Sequence, residues 1–519
     1  MLLNQMGYAW VKLFSLFILN NAVVADRPNI VFILADDLGY NDIGYHAINH
    51  DSDMKTPYLD QLAKDGIKLE NYYVQPICTP SRSQLMSGRY QIHTGLQHAV
   101  LHPNQKNGLP LDNIILPEQL KNCGYDTHMV GKWHLGHFKK KYMPQYRGFN
   151  SFYGYLNGDE DYYTRYLKTS STEYGVDFRD ENGPFNTTWG LYSAHLFTDR
   201  AKKVIDGRDK SKPLFLYLPF QSVHYPMQVP DHYMKQFAHI KDKTRRTYAG
   251  MLAALDEAVM NITEHLKTSG MFDKTIIIFS TDNGGHTDYG GNNWPLRGRK
   301  ATLWEGGVKG VGFVGGGYLK ISDVKGSNFM HISDWFPTIL SAANCQKIHG
   351  TQPLDGFNQW NAILQKEPSP RKELLHNIDP LKGKPIKSKI IQGVDITIQC
   401  GIRSGPWKLF LGNPGFSDWV NPPESRKINP YFSSMSDSNK NLEGWNAHSY
   451  KRDASIMLFH IETDPYERHE ISSYFPSVVT ALLERIKAYN ATAVPPRYPP
   501  GDNKASPKYH GGYWGPWVE

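Results

Sequence analysis

The sequence predicts an α/β protein built on a large, mostly parallel sheet, with a smaller domain towards the C-terminus. Three observations carry that reading. Short, continuously apolar runs recur along the chain, helical patterns separate them, and the texture changes after about residue 375. The first run, Asn29-Ile30-Val31-Phe32-Ile33-Leu34, has no alternation, as expected of a strand covered on both faces. A helix over 57–64 follows, with Thr56 as N-cap, Pro57 at the first helical position and Gly66 as the stop. Residues 127–130, 214–218 and 275–279 read as further core strands. Between the last two, Leu252, Leu255, Val259, Ile262 and Leu266 recur at helical spacing across 248–267, and Gly270 ends the helix. Another helix is expected from Ser333 to about Ala343.

Beyond residue 375, segments 403–411 and 456–461 read as strands of a smaller antiparallel sheet. The Ser/Asn/Pro-rich stretch 413–453 reads as a long surface loop. A last helix is expected over 476–489, and the Pro/Gly-rich tail after Val494 should be irregular. The expected division is a leader over 1–25, a large domain over 26–375 and a small one over 376–519.

With 519 residues the chain exceeds one simple core, and 40% hydrophobic with 21% charged residues is an ordinary globular balance. The net charge of +7 is spread along the chain with no long Lys/Arg run. That argues against a nucleic-acid partner and suits an anionic ligand. Lys12, the apolar stretch Leu13-Phe14-Ser15-Leu16-Phe17-Ile18-Leu19 and the small residues before a cut after Ala25 read as a secretory signal peptide. The stretch is too short to span a bilayer, and no later one is longer, so no stable membrane insertion is expected. Sequons at Asn186, Asn261 and Asn490 fit a glycoprotein of the secretory route.

Polar groups collect at strand ends. The first strand ends in Asp36-Asp37, the 127–130 strand leads to Lys132 and His134, the 214–218 strand to His224, and the 275–279 strand to Asp282-Asn283. In an open α/β sheet, ligands bind beyond the carboxyl ends of the strands. Adjacent carboxylates after a buried strand are costly without a cation or donors. The oxygen-only set Asp36, Asp37, Asp282 and Asn283 suits calcium or magnesium, and no Cys/His cluster has zinc spacing. Pro80 and the following Ser81–Met86 place Cys78 at a helix N-terminus, where free N–H groups favour an anion; Arg82 lies one turn on.

Cys78-Thr79-Pro80-Ser81-Arg82, continuing to Ser87-Gly88-Arg89, resembles the first signature of the sulfatase family. The run from Gly124-Tyr125-Asp126 to Lys132-Trp133-His134 resembles its second. The resemblance extends over most of 27–519. Within the family it points to the arylsulfatase B (N-acetylgalactosamine-4-sulfatase) group and its I and J relatives. Supporting stretches run from Gly88 to His98, from Gly290 to Lys300 and from His331 to Trp335.

The resemblance implies an alkaline-phosphatase-like sulfatase fold, with 26–375 as the catalytic domain, and hydrolysis of sulfate esters. It implies that Cys78 is oxidised to formylglycine by the formylglycine-generating enzyme. A hydroxyl of the hydrated aldehyde then attacks sulfur, and loss of the second hydroxyl's proton expels sulfate. One Ca2+ per chain is implied on Asp36, Asp37, Cys78, Asp282 and Asn283, polarising a sulfate oxygen. Arg82 should hold the formylglycine hydroxyl, and His134 should serve it as base or orienter. Lys132, His224 and Lys300 should bind the sulfate oxygens, with His224 protonating the leaving oxygen.

The implied substrate is the 4-sulfate of N-acetylgalactosamine units in dermatan or chondroitin sulfate, in the lysosome or outside the cell. Cys345 and Cys400 resemble a family disulfide, which leaves Cys123 as a buried free thiol. The alternatives are a relative acting on another sulfated small molecule, an inactive sulfatase-shaped binding protein, and a phosphatase of the same superfold. The last would use Ser or Thr with two metals, and no second metal set is evident.

Overall fold

A computed structural model of the chain describes residues 27–47, 53–170, 173–345, 350, 352–382, 388–422 and 456–519. The leader expected over 1–25, and most of the polar stretch expected over 413–453, lie outside the described residues.

The apolar runs form one ten-stranded sheet. In chain order its strands are β1 (Asn29–Ala35), β2 (Ile67–Leu69), β3 (Asp126–Lys132), β4 (Ser151–Tyr155), β5 (Arg179–Asp180), β6 (Gly183–Pro184), β7 (Leu214–Pro219), β8 (Thr275–Thr281), β9 (Gly312–Gly315) and β10 (Val324–Gly326). Their spatial order is β10-β2-β9-β8-β1-β7-β3-β4-β5-β6. The centre, β8-β1-β7-β3-β4, is wholly parallel. β9 pairs antiparallel with β8 and β2, and β5 pairs antiparallel with β4. Ile33 lies level with both Leu218 and Phe279, so β1, β7 and β8 end side by side.

Helices cover both faces of this sheet: α1 (Pro57–Lys64), α2 (Cys78–Ser87), α3 (Leu116–Asn122), α4 (Ser193–Gly207), α5 (Lys243–Thr268) and α6 (Trp335–Ala342). Alternate residues of β1 serve the two sides. Val31 and Ile33 pack in one core with Phe197 of α4 and Leu252, Leu255 and Val259 of α5. Ile30, Phe32 and Leu34 pack in the other with Met86 of α2, Leu120 of α3 and Ile339 of α6. A strand buried on both sides has no polar face to show, which is why its sequence is continuously apolar.

One helix starts earlier than expected, and another has its expected start but a different capping group. α5 begins at Lys243 rather than Tyr248, since the Asp242 side chain accepts from the Arg245 N–H at 2.7 Å. At α1 the Thr56 hydroxyl does not cap the helix and instead donates to Asp60. The free N–H groups of Tyr58 and Leu59 donate to Asp256 of α5, at 3.2 and 2.8 Å.

The smaller sheet holds β11 (Glu373–Asp379), β12 (Gln399–Ser404), β13 (Trp407–Leu411) and β14 (Ile456–His460), antiparallel in that order. The last helix, α7 (Pro476–Thr492), buries Leu482, Leu483 and Ile486 against Leu375, Ile402 and Leu409. The single strand expected over 403–411 is a tight hairpin, because Gly405 takes a φ of +53° between β12 and β13. The expected boundary at 375/376 falls inside β11. The tail after α7 turns back onto the large domain: Val494 N–H donates to Ile92 O at 2.8 Å and Trp514 N–H to Val176 O at 3.0 Å.

The cysteine pairing implied by the family resemblance is overturned. Cys345 is bonded to Cys123, with Cα atoms 5.8 Å apart, and not to Cys400. Cys123 follows α3 and Cys345 follows α6; these helices share one face of the sheet, so their C-terminal ends meet. Cys400 sits in β12, fully buried in the small domain's own core, as a free thiol. Cys123 is therefore not the free cysteine. The bridge closes a 222-residue separation, and its loss through Cys345→Ala should cost about 2–5 kcal/mol in thermal unfolding. Peptide mapping should find Cys123 linked to Cys345, with Cys400 alkylated only after unfolding; a 345–400 cross-linked peptide would refute the pairing.

Candidate active site

Because β8, β1, β7 and β3 are parallel neighbours, their carboxyl ends open onto one edge, and the polar groups after them converge there. The loops are stitched together by backbone bonds. Asp36 N–H donates to Ser222 O at 3.0 Å, Val223 N–H to Asp36 O at 2.7 Å, and Asp282 N–H to Ala35 O at 3.1 Å. Asp37 and His134 adopt left-handed φ values of 62° and 57°, an uncommon conformation that clusters at functional sites.

Cys78 is the first residue of α2, after Ile77 in extended conformation, and is buried. Its Sγ lies 3.7 Å from Asp36 Oδ1. Ligand atoms of Asp36, Asp37, Cys78 and His224 all fall within 4.8 Å of one another. Asp282 joins them through its Oδ1, which accepts from the Asp37 N–H at 3.3 Å. Asn283 donates its amide to Asp37 Oδ1 at 2.8 Å, while its own buried Oδ1 has no partner. An orphaned carbonyl oxygen beside three buried carboxylates fits a hard divalent cation, and this donor set can hold one.

Three cationic side chains answer the three acids. Arg82 is fully buried and holds Asp282 Oδ2 through Nε at 3.1 Å and Nη2 at 2.8 Å, with Asp36 Oδ2 at 3.4 Å from Nη2. Lys132, also fully buried, pairs with Asp36 Oδ2. Lys300 reaches both oxygens of Asp37, at 2.7 and 2.8 Å. His224 donates Nδ1–H to Tyr225 O at 2.7 Å, which turns Nε2 towards Asp37 Oδ2, 3.7 Å away. His134 bonds Leu101 O through Nε2 at 3.1 Å and leaves a buried Nδ1 without a partner. A carbonyl can only accept, so each ring carries its proton on the bonded nitrogen and presents a bare one.

The electrostatics follow from burial and these charges. Burial pushes the Cys78 thiol up to about 12 against the pull of Lys132 and Lys300, so an unmodified Cys78 is a protonated, weak nucleophile. Burial and the neighbouring Asp36 raise Asp282 to about 6 despite Arg82. For Asp37, burial is outweighed by the Lys300 ammonium, which pairs with both its oxygens, and its carboxyl lies well below the usual range. Burial, then the charge of Lys132 and Arg82 on His134 and of Lys300 on His224, holds both imidazoles neutral.

A family model described as Sulfatase matches residues 28–345. The chain belongs to the sulfatase family. It is 48% identical to mouse Arylsulfatase J over 95% of this chain and 81% of that one. It is 32% identical to human Arylsulfatase A over 68% of this chain and 70% of that one. Among solved structures it resembles Ps i-CgsB in complex with k-i-k-neocarrahexaose, with TM-score 0.73 and 28% identity over 91% of this chain and 94% of that one. The fold is the alkaline-phosphatase-like sulfatase fold, and the enzyme is a sulfuric ester hydrolase of arylsulfatase type.

The sheet edge thus brings together Asp36, Asp37, Cys78, Arg82, Lys132, His134, His224, Asp282, Asn283 and Lys300, all named from sequence as candidate site residues. Sequence reasoning missed what surrounds them. Asp42 binds Arg245 at 2.6 Å and Tyr248 Oη at 2.8 Å, and Tyr248 Oη lies 3.4 Å from Asp37 O, bracing the loop after β1. His286 sits beside Lys300 and Asp37; burial and the Lys300 charge lower it to about 4. Asp159 lies within electrostatic reach of Lys132 and Lys300, and burial raises it to about 6. The acid run Asp159-Glu160-Asp161 was the available signal, but no strand end or period marks it. A cavity of about 290 Å3 opens elsewhere, between Trp407 and Leu482, without the charged groups an anionic ester needs.

Proposed function

We propose that this sulfatase is calcium-dependent, acts through formylglycine made from Cys78, and removes the 4-sulfate from N-acetylgalactosamine units of dermatan or chondroitin sulfate. The carrying observation is the oxygen-only cluster beside Cys78, with Asn283 Oδ1 left bare, facing a ring of lysines and neutral histidines. Calcium on Asp36, Asp37, Asp282, Asn283 and the residue-78 oxygen would act as a Lewis acid towards the sulfate. Formylglycine at this position supplies a hydrated aldehyde as the nucleophile.

This chain's own residues do the rest. Arg82, anchored by Asp282, fixes the group at position 78. His134 presents its bare Nδ1 as the acceptor for that group's proton. Lys132 and Lys300 hold the sulfate oxygens and offset charge on the departing ester oxygen. His224 is the proton donor to the leaving alcohol; its Nε2 faces the site, and the charge of a bound sulfate ester favours the imidazolium.

The relatives named N-acetylgalactosamine-6-sulfatase in mouse and human, 28% and 27% identical, support a sulfated amino sugar as the substrate class. We place the enzyme in the lysosome or outside the cell. Asn186 and Asn490 are exposed and accessible to a glycan, whereas Asn261 is half-buried midway along α5. No helix among the described residues is long and apolar enough to cross a membrane.

The test is turnover of 4-nitrophenyl sulfate and 4-nitrophenyl phosphate by protein made in a formylglycine-forming eukaryotic cell. We expect sulfate release that a calcium chelator removes and added calcium restores. Preference for the phosphate, or indifference to the chelator, would overturn the reading.

A further inference from the structure

Lys300 enters the site from the long connection between β8 and β9, not from a strand end. Its own N–H donates to Gly285 O at 3.2 Å, and its ammonium reaches both oxygens of Asp37. The next residue, Ala301, takes a left-handed φ of 70°, and its N–H donates at 2.6 Å to the carbonyl of Pro76, two residues before Cys78. A non-glycine residue holds that conformation only where its surroundings over-determine it. Relaxation of Ala301 would swing the Lys300 side chain away from Asp37. What pins the flanks of this turn therefore decides where the ammonium points.

Both flanks are tied to remote chain beside the smaller sheet. Before Lys300, Gly298 N–H donates to Asp418 O at 2.9 Å; after it, Leu303 N–H donates to Pro414 O at 2.8 Å. Both acceptors lie on the segment that follows β13. Arg297 adds a fork. Its Nε donates to Ser417 O at 2.8 Å and its Nη1 to Glu467 O at 3.0 Å. Its guanidinium carbon lies 3.7 Å from the centre of the Trp304 ring and 4.5 Å from that of Trp419. Arg297 is buried, so these contacts are made with little competition from water. One acceptor is itself locked. Glu467 is fully buried, its Oε2 accepts from Glu305 N–H at 2.7 Å, and its Oε1 lies 2.9 Å from Lys408 Nζ on β13.

We propose that Arg297 is a positioning residue for sulfate binding: it fastens the Lys300 turn to the smaller sheet and so holds the Lys300 ammonium ready for the sulfate oxygens. The proposal rests on the reading of Lys300 as a sulfate-binding group. It gives the C-terminal part of the chain a share in a site whose other residues all precede position 284. A lysine on a free loop would lose rotamer and backbone freedom each time it gripped an anion, and that loss weakens binding. Pinning the turn beforehand removes most of it. The residue type suits the task. A planar guanidinium can donate along two directions while its face rests on an indole, whereas the single nitrogen of a lysine cannot do both at once.

The experiment measures competitive inhibition of 4-nitrophenyl sulfate turnover by inorganic sulfate. It compares the mature wild type with Arg297→Ala, Arg297→Lys, Lys300→Ala and the double variant Arg297→Ala/Lys300→Ala. Lys300→Ala keeps Lys132 and His224, so its residual turnover can be followed. The inhibition constant is blind to the fraction of folded enzyme, so a purely structural loss does not move it. It should rise about tenfold in Arg297→Ala, the scale of losing a hydrogen bond from a charged group. Arg297→Lys keeps the charge beside the indoles without the fork and should lie between; it carries the test if the alanine variant does not fold. In the Lys300→Ala background the Arg297 change should add nothing. A wild-type inhibition constant in either Arg297 variant, or a full further rise in the double variant, overturns the positioning and leaves Lys300 as a sulfate ligand. If Lys300→Ala itself binds sulfate as wild type does, both readings fall.

Discussion

Replacing Cys78 by alanine should leave a folded protein whose sulfate-ester turnover is lower by on the order of 10^4-fold or more, the scale of losing a covalent nucleophile. Cys78 is the first residue of α2, and its Sγ touches a carboxylate rather than filling an apolar pocket, so shortening it disturbs no hydrophobic contact. Cys78→Ser should fail almost as badly. A serine hydroxyl could attack sulfur once, but it has no second hydroxyl whose proton loss would release the sulfate. The mutant is therefore expected to trap sulfate on the protein, visible as a mass increase on the peptide containing position 78. In active wild type, the same peptide should show the mass change expected for conversion of CH2SH to CHO. Retained turnover in Cys78→Ala, or an unmodified thiol in fully active protein, would end this account.

Arg82→Ala should be the most damaging of the charge deletions. Arg82, Asp36 and Asp282 have fully buried side chains, and Arg82 is the only bidentate partner of Asp282 among the described residues. Its removal strands Asp282 without a direct ion-pair partner, while Asp36 keeps Lys132, a cost of about 3–5 kcal/mol for breaking a buried pair. Thermal unfolding in the presence of chelator should report that loss, and added calcium should return part of it by neutralising the same acids. Turnover should fall on the order of 10^2–10^3-fold, as for loss of a preorganised donor. Arg82→Lys keeps the charge but not the fork and should lie between. The double variant Arg82→Ala/Asp282→Asn should be more stable than Arg82→Ala alone, because the second change removes the stranded charge. An unfolding temperature equal to wild type in Arg82→Ala would show that the pair carries no stability.

How much of this was visible beforehand depends on whether a feature is local or assembled. β1, β7 and β8 announce themselves as unbroken apolar runs, and runs of that kind pack as parallel neighbours. Once they do, Asp36, Lys132, His224 and Asp282 must share an edge, however far apart they are in sequence. The two signature stretches around Cys78 and His134 sharpened that into a named chemistry. The turn at Gly405 is legible in the sequence as Gly405-Pro406, a turn signal that the reading of 403–411 as one strand overlooks.

The sequence alone placed Cys78 at a helix N-terminus and Asp36, Asp37, Asp282 and Asn283 at strand ends on one edge, because each sits at a fixed offset from a strand or helix that its own residues specify. Only the tertiary structure decided that Cys123 pairs with Cys345, that Asp256 caps α1, and that Tyr225 stacks on Tyr289. Those outcomes depend on where separate helices and loops come to rest against the sheet, and no periodicity within a segment records the position of its distant neighbour.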